Sequence, residues 1–239
     1  MLRSIKQIYG NKLGASDGEI GRVKDFYFDD QSWAVRYLVA DTGSWLTGRQ
    51  VLLSPHSLGR LAQAGTVLRV NLTRKQIEES PSIESHKPVS RQFEEEYHGY
   101  YGWPAYWNGA EMRGVSGGPV VVPPVELAAE HARESTADFH LRSAKALTGY
   151  RIETVDGPIG HVSGFLLNDK SWVISDLVVD AGTWFSGKEI LISPSKIESV
   201  SCEESKVYVK LTKADIQHTG EDQLARAGSE SVGTEYFSD

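Results

Sequence analysis

Asp30-Gln31-Ser32-Trp33, Leu38-Val39, Asp41-Thr42-Gly43-Ser44-Trp45, Gly48 and Leu52-Leu53-Ser54-Pro55 recur as Asp169-Lys170-Ser171-Trp172, Leu177-Val178, Asp180-Ala181-Gly182-Thr183-Trp184, Gly187 and Leu191-Ile192-Ser193-Pro194. Each partner lies 139 positions further on, and the match runs outward without a gap, from Arg3/Arg142 through Asp17-Gly18/Asp156-Gly157 to Thr73/Thr212 and Ile77/Ile216. Two copies of about 76 residues therefore make up most of the chain, and repetition of this kind fixes the domain count more firmly than length does. A domain of that size buries only about 60% of its unfolded surface, so each copy is expected to depend on the other, on the linker or on a second chain.

Within a copy the pattern is that of short strands and turns. Asp17-Gly18 suits a hairpin turn, because both residues tolerate positive φ. Residues 20–28 and 34–40 are rich in β-branched and aromatic side chains and are joined by Asp29-Asp30-Gln31-Ser32, which predicts a hairpin. In its second strand both parities are apolar, Ala34, Leu38 and Ala40 against Val35 and Val39, so that strand is expected to be covered on both faces. Leu68, Val70 and Leu72 alternate with Arg69 and Asn71, and Val207, Val209 and Leu211 repeat the alternation. Thr73 with Gln76, and Thr212 with Asp215, read as helix N-caps. Five or six short strands per copy predict an all-β fold of two small barrels in tandem, with short helices.

The expected domains are residues 1–80, a first barrel; 81–139, a linker; 140–220, a second barrel; and 221–239, a polar tail. The linker has content. Residues 88–98 read as a helix with Glu94, Glu95 and Glu96 toward solvent, Tyr97 to Trp107 carries six aromatics in eleven residues, a Gly/Pro stretch follows, and 125–133 reads as a short amphipathic helix. That is too much aromatic surface to leave in water as a tether. Tyr97, Tyr100, Tyr101, Trp103, Tyr106 and Trp107 are accordingly the candidate binding residues, either sealing a junction or meeting a partner. Trp45 and Trp184, at loop tips, join them.

These motifs resemble the PRC-barrel family, named for the cytoplasmic domain of the photosynthetic reaction-centre H subunit. The resemblance is carried by the Asp-Gly-x-Ile-Gly turn at residues 17–21, the Asp-x-x-Trp hairpin end, the Asp-x-Gly-x-Trp-x-x-Gly loop and the Leu-x-Ser-Pro strand end. It covers roughly residues 1–80 and 140–220 and implies the fold together with a role in protein binding, in the manner of the tandem two-barrel bacterial branch. By the same resemblance a peripheral association with a membrane complex is expected. The H subunit has an N-terminal membrane helix that this sequence lacks, and the family's ribosome maturation factor pairs its PRC barrel with a barrel of another type.

Other chemistries find less support. Asp41-Thr42-Gly43-Ser44 after Leu38-Val39-Ala40 matches an aspartic-protease loop, and Asp180-Ala181-Gly182-Thr183 is a degenerate second copy; two carboxylates sharing a proton activate water in such enzymes. The apolar-apolar-Gly strand that such a loop requires is in neither copy, and Asp before Gly commonly accepts hydrogen bonds from its own loop, so no catalytic residue is assigned. His56, His86, His98, His131, His140, His161 and His218 show no ligand spacing, and no cofactor or metal is expected. A net charge of −7 without a Lys/Arg cluster argues against nucleic acid. Lone Cys202 and the lack of a long apolar run fit a cytoplasmic protein with no membrane span. The expectation is a non-enzymatic module that binds a protein partner or forms a homodimer. A small-molecule or ion sensor with its site between the barrels is the alternative.

Overall fold

The computed structural model describes residues 1–46, 48–59, 67–81, 91–105, 141–182 and 189–218. Among these the chain is mainly β, with two sheets and a few short helices. In order come β1 (Leu2–Ser4), β2 (Lys12–Ala15), β3 (Gly18–Asp29), β4 (Val35–Asp41), β5 (Gln50–Leu53), β6 (Leu68–Arg69), α1 (Arg74–Glu78) and α2 (Arg91–Tyr101). The second copy supplies β7 (Leu141–Ser143), α3 (Ala144–Leu147), β8 (Arg151–Thr154), β9 (Gly157–Asn168), β10 (Ile174–Asp180), β11 (Glu189–Ile192), β12 (Ile197–Ser201) and β13 (Lys206–Val209).

One sheet runs β5-β4-β3-β2-β6 with β7 on β3, and the other runs β11-β10-β9-β8-β13-β12 with β1 on β9. The expected hairpin is β3–β4, and its repeat is β9–β10. The first strand of each copy lies in the sheet of the other. Both strands are Leu-Arg-Ser, so the tripeptide carries nothing that tells the sheets apart. The compact units follow this exchange: Met1–Ile8 and Ser32–Val35 belong with Ser143–Asp239, and Tyr9–Gln31 with Arg36–Arg142. The division expected at 1–80 and 140–220 therefore differs from these units at the first strands and at the hairpin tip.

In the unit containing the second copy, the tips pair reciprocally. Val35 N–H donates to Trp172 O at 2.7 Å and Ile174 N–H to Trp33 O at 2.8 Å. Trp33 and Trp172 hold φ of 58° and 56° while remaining only 6% and 9% exposed. Left-handed backbone is unfavourable for a bulky residue, and the buried indoles offset it.

Gly21 and Gly160 explain the glycine after each Asp-Gly turn. Their φ values are 135° and 154°, and a Cβ would collide with the carbonyl oxygens of Asp41 and Asp180 respectively. The register also slips there, between Leu13 and Gly14 opposite β3 and between Ile152 and Glu153 opposite β9, so each glycine sits at a bulge.

The turn aspartates have a use that the sequence reading did not foresee. Asp17 accepts the Arg74 N–H at 2.7 Å and Asp156 the Lys213 N–H at 2.9 Å, which ties each turn to the first residue of the helix that follows its copy's last strand. The caps form as expected. Thr73 accepts from Gln76 N–H while its own N–H donates to Gln76 Oε1, and Thr212 and Asp215 exchange the same two bonds.

Candidate functional site

Helix α2 places Glu94, Tyr97, His98 and Tyr101 on one side, the spacing of three and four residues that makes one helical face. That face lies on the sheet strands β4 and β5. Tyr97, fully buried, packs with Tyr37, Val39 and Leu52, and Tyr27, Tyr101, Trp103 and Leu141 close around them. β4 is thus covered on both sides, which is why its two parities are apolar.

The expectation that Glu94 faces solvent is corrected: it is 3% exposed, while Glu95 and Glu96 are exposed. The helical phase that buries Tyr97 and His98 carries Glu94 inward with them. There it accepts the Tyr37 hydroxyl at 2.9 Å, and the same hydroxyl meets His98 Nε2 at 2.8 Å. His98 Nδ1 faces the Pro104 carbonyl at 2.9 Å.

Hydrogen counting makes the trio specific. A carbonyl only accepts, so Nδ1 carries a hydrogen. The phenol has one hydrogen for two neighbours. Which neighbour receives it depends on the imidazole tautomer, and in either arrangement Tyr37 is the bridge between Glu94 and His98.

Tyr97 makes the second anchor. Its hydroxyl donates to Leu52 O at 2.8 Å and accepts from Leu52 N–H at 3.2 Å, so one phenol caps both main-chain groups of a residue on edge strand β5. Burial, and then neighbouring Tyr101, push the Tyr97 phenol far above its ordinary range, and burial also raises Tyr101. Both therefore remain neutral. Arg49 clasps the chain end of α1 from the same side, donating to Glu78 O at 2.8 Å, to Ser80 O, and to Ser80 Oγ at 3.1 Å.

The candidate binding residues thus separate. Tyr97 is interior. Tyr101 and Trp103 are half-buried and stack at 4.2 Å and 12°, with Tyr100 edge-on to Tyr101 at 4.8 Å. Tyr100 is 41% exposed, held by its hydroxyl on Gln76 O at 2.9 Å. Trp45 has another neighbour, the Arg74 guanidinium, 4.6 Å above its ring. Tyr106, Trp107 and Trp184, and the helix expected at 125–133, lie outside the described residues.

Sequence reasoning missed Glu94, His98 and Arg49 as members of this site, and marked Tyr37 only as a residue that the two copies do not share. The signal was present for the helix, in the Glu94, Tyr97, His98, Tyr101 spacing. For Tyr37 it lay in the contrast with Asp176, its repeat partner.

The protease-like loops are turns. Asp41 accepts Gly43 N–H at 2.9 Å and Asp180 accepts Gly182 N–H at 2.8 Å, each within its own loop. Among the described residues no three His, Cys, Asp or Glu side chains cluster closely enough to hold a metal, and no helix is long and apolar enough to cross a membrane. No protein-family model matches the chain, and no curated protein sequence matches it.

Proposed function

We propose that the chain is a non-enzymatic protein-interaction module of tandem PRC-barrel type, similar in fold to the reaction-centre H subunit's cytoplasmic domain. The observation that carries this reading is the ring cluster Tyr100, Tyr101 and Trp103 at the margin of α2. Its rings are stacked and tethered before any partner arrives, which lowers the ordering cost of binding. Exposed Glu79 lies beside Tyr100, and exposed Glu96 stands one helical turn before it, so the face favours a partner that brings Lys or Arg to an aromatic surface. The groups best suited to chemistry, Tyr37, Glu94 and His98, are 0%, 3% and 5% exposed and bonded to one another, a use that suits holding α2 in place.

The family reading is supported by where its motif residues stand: turn aspartates on helix ends, glycines at bulges, tryptophans at hairpin tips. Light scattering together with crosslinking in native lysate tests the proposal. A dimer or a stable crosslinked complex is expected. A strictly monomeric protein that crosslinks to nothing contradicts it.

A further inference from the structure

The aromatic margin of α2 restricts the kind of chain that can dock on it. Strand addition is closed. β5 ends its sheet's strand order, and the N–H and C=O of Leu52 are both taken by the Tyr97 hydroxyl, at 3.2 and 2.8 Å. A docked helix needs apolar anchors repeated along a groove, and here the rings are gathered into one short stretch, Tyr100, Tyr101 and Trp103.

One side-chain donor of that cluster is left over. Tyr100 spends its hydroxyl hydrogen on Gln76 O at 2.9 Å, and Tyr101 directs its own at the same carbonyl at 3.5 Å. The Trp103 indole N–H has no hydrogen-bond partner among the described residues and is not buried. An indole N–H only donates, so what meets it is an acceptor. The carbonyls of a helix or of a strand within a sheet are already bonded. A polyproline II segment has no internal hydrogen bonds, keeps its carbonyls free and loses little entropy on docking against aromatic rings.

Charge adds a second requirement. Glu96 is exposed, stands one helical turn before Tyr100 and makes no ion pair among the described residues. Glu79, beside Tyr100, is paired with exposed Lys75 at 3.8 Å, a surface contact that yields readily to another cation. Arg49 also acts on Tyr100, but its guanidinium is committed to Glu78 O and Ser80. A cation brought to the Tyr100 ring therefore finds carboxylates on the same face.

We propose that the partner of this face is a protein presenting an extended, proline-rich segment with an arginine, one of whose carbonyls accepts the Trp103 N–H while the prolines lie against the ring cluster and the arginine meets Tyr100 beside Glu96. This names the partner class of the function proposed above and rests on that reading.

NMR titration of the full chain tests it. Trp103→Phe keeps a ring, removes the donor and identifies the Trp103 indole resonance by its loss. Three blocked peptides of about ten residues are compared: a proline-rich one carrying one arginine, the same with its prolines replaced by alanine, and the same with its arginine replaced by glutamate. The first should move the Trp103 indole resonance at concentrations below about 1 mM, and each of the others should bind at least about fivefold more weakly. Trp103→Phe should weaken the first peptide about fivefold or more, and Glu96→Lys, on an exposed side chain, gives an equal loss without touching the rings. No movement of the resonance at about 1 mM of the first peptide, equal binding of the alanine version, or binding indifferent to both substitutions overturns the proposal. The two readings fail separately. A crosslinked lysate partner that the proline-rich peptide does not displace overturns this inference and leaves the proposed function standing, whereas a chain that binds neither peptide nor lysate protein overturns both.

Discussion

Arg142 Nε donates to Asp30 Oδ2 at 2.6 Å, joining the first strand of the second copy to the hairpin of the first. Its counterpart, Arg3, reaches Asp169 at 3.6 Å, joining the first strand of the first copy to the hairpin of the second. The two pairs are the polar signature of the strand exchange. The Arg142–Asp30 side chains are 22% and 13% exposed, against 47% and 54% for the surface pair Lys12–Glu19. A double-mutant cycle with Arg142→Ala and Asp30→Ala should therefore give a coupling of about 1–2 kcal/mol. The same cycle at Lys12 and Glu19 should give about 0.5 kcal/mol or less, and both are read from urea unfolding.

Tyr37→Phe removes the bridge between Glu94 and His98 and leaves two buried polar groups with one bond fewer each. The loss should be about 2–3 kcal/mol, more than a neutral surface bond is worth, because the penalty is set by desolvated groups. Since Trp103 lies 5.7 Å from the His98 ring, its fluorescence should report the loosening of α2 before global unfolding. Asp176→Asn, at the corresponding place in the second copy, should be nearly silent.

Gly21→Ala drives a methyl into the Asp41 carbonyl at a φ of 135°, so about 3 kcal/mol or more should be lost. Gly43→Ala meets nothing within 4 Å, with φ of 55°, and should cost about 1 kcal/mol from backbone conformation alone. Thermal unfolding of the two variants separates a collision from a conformational preference.

Acid should weaken the unit that contains the second copy through its turn and cap carboxylates. The Thr154 hydroxyl, followed by the Lys213 N–H, holds the Asp156 carboxyl below its ordinary value near 3.8, and Thr212 does the same for Asp215. A depressed carboxyl pKa contributes stability that is complete above the unfolded value and disappears as pH falls through the folded one. Urea midpoints should hold above about pH 5 and fall below about pH 4, and Asp156→Asn should flatten that acid limb.

Much of this fold was legible in the residues. The all-β class, the β3–β4 hairpin, the Thr73–Gln76 capping box and the self-bonded Asp41 and Asp180 turns follow from alternation and turn chemistry, which are local. The strand exchange was not, because Leu2-Arg3-Ser4 and Leu141-Arg142-Ser143 are the same tripeptide and either fits either slot. Glu94 misled for a related reason: a run of three glutamates reads as solvated until the helix phase is fixed by Tyr97 and His98. Tyr37 stood out only by differing from Asp176, and its partners lie 57 and 61 residues away in sequence, beyond any local pattern.

Binding through the aromatic margin of α2 is the function proposed for the chain. Quantitative affinity purification from the native cell, comparing the wild-type bait with a Tyr100→Ala, Glu95→Lys, Glu96→Lys bait of unchanged melting temperature, tests it most directly. A specific partner, or a second copy, should be recovered by the wild type and lost at least about tenfold by the variant. Equal recovery of the same proteins by both baits contradicts it.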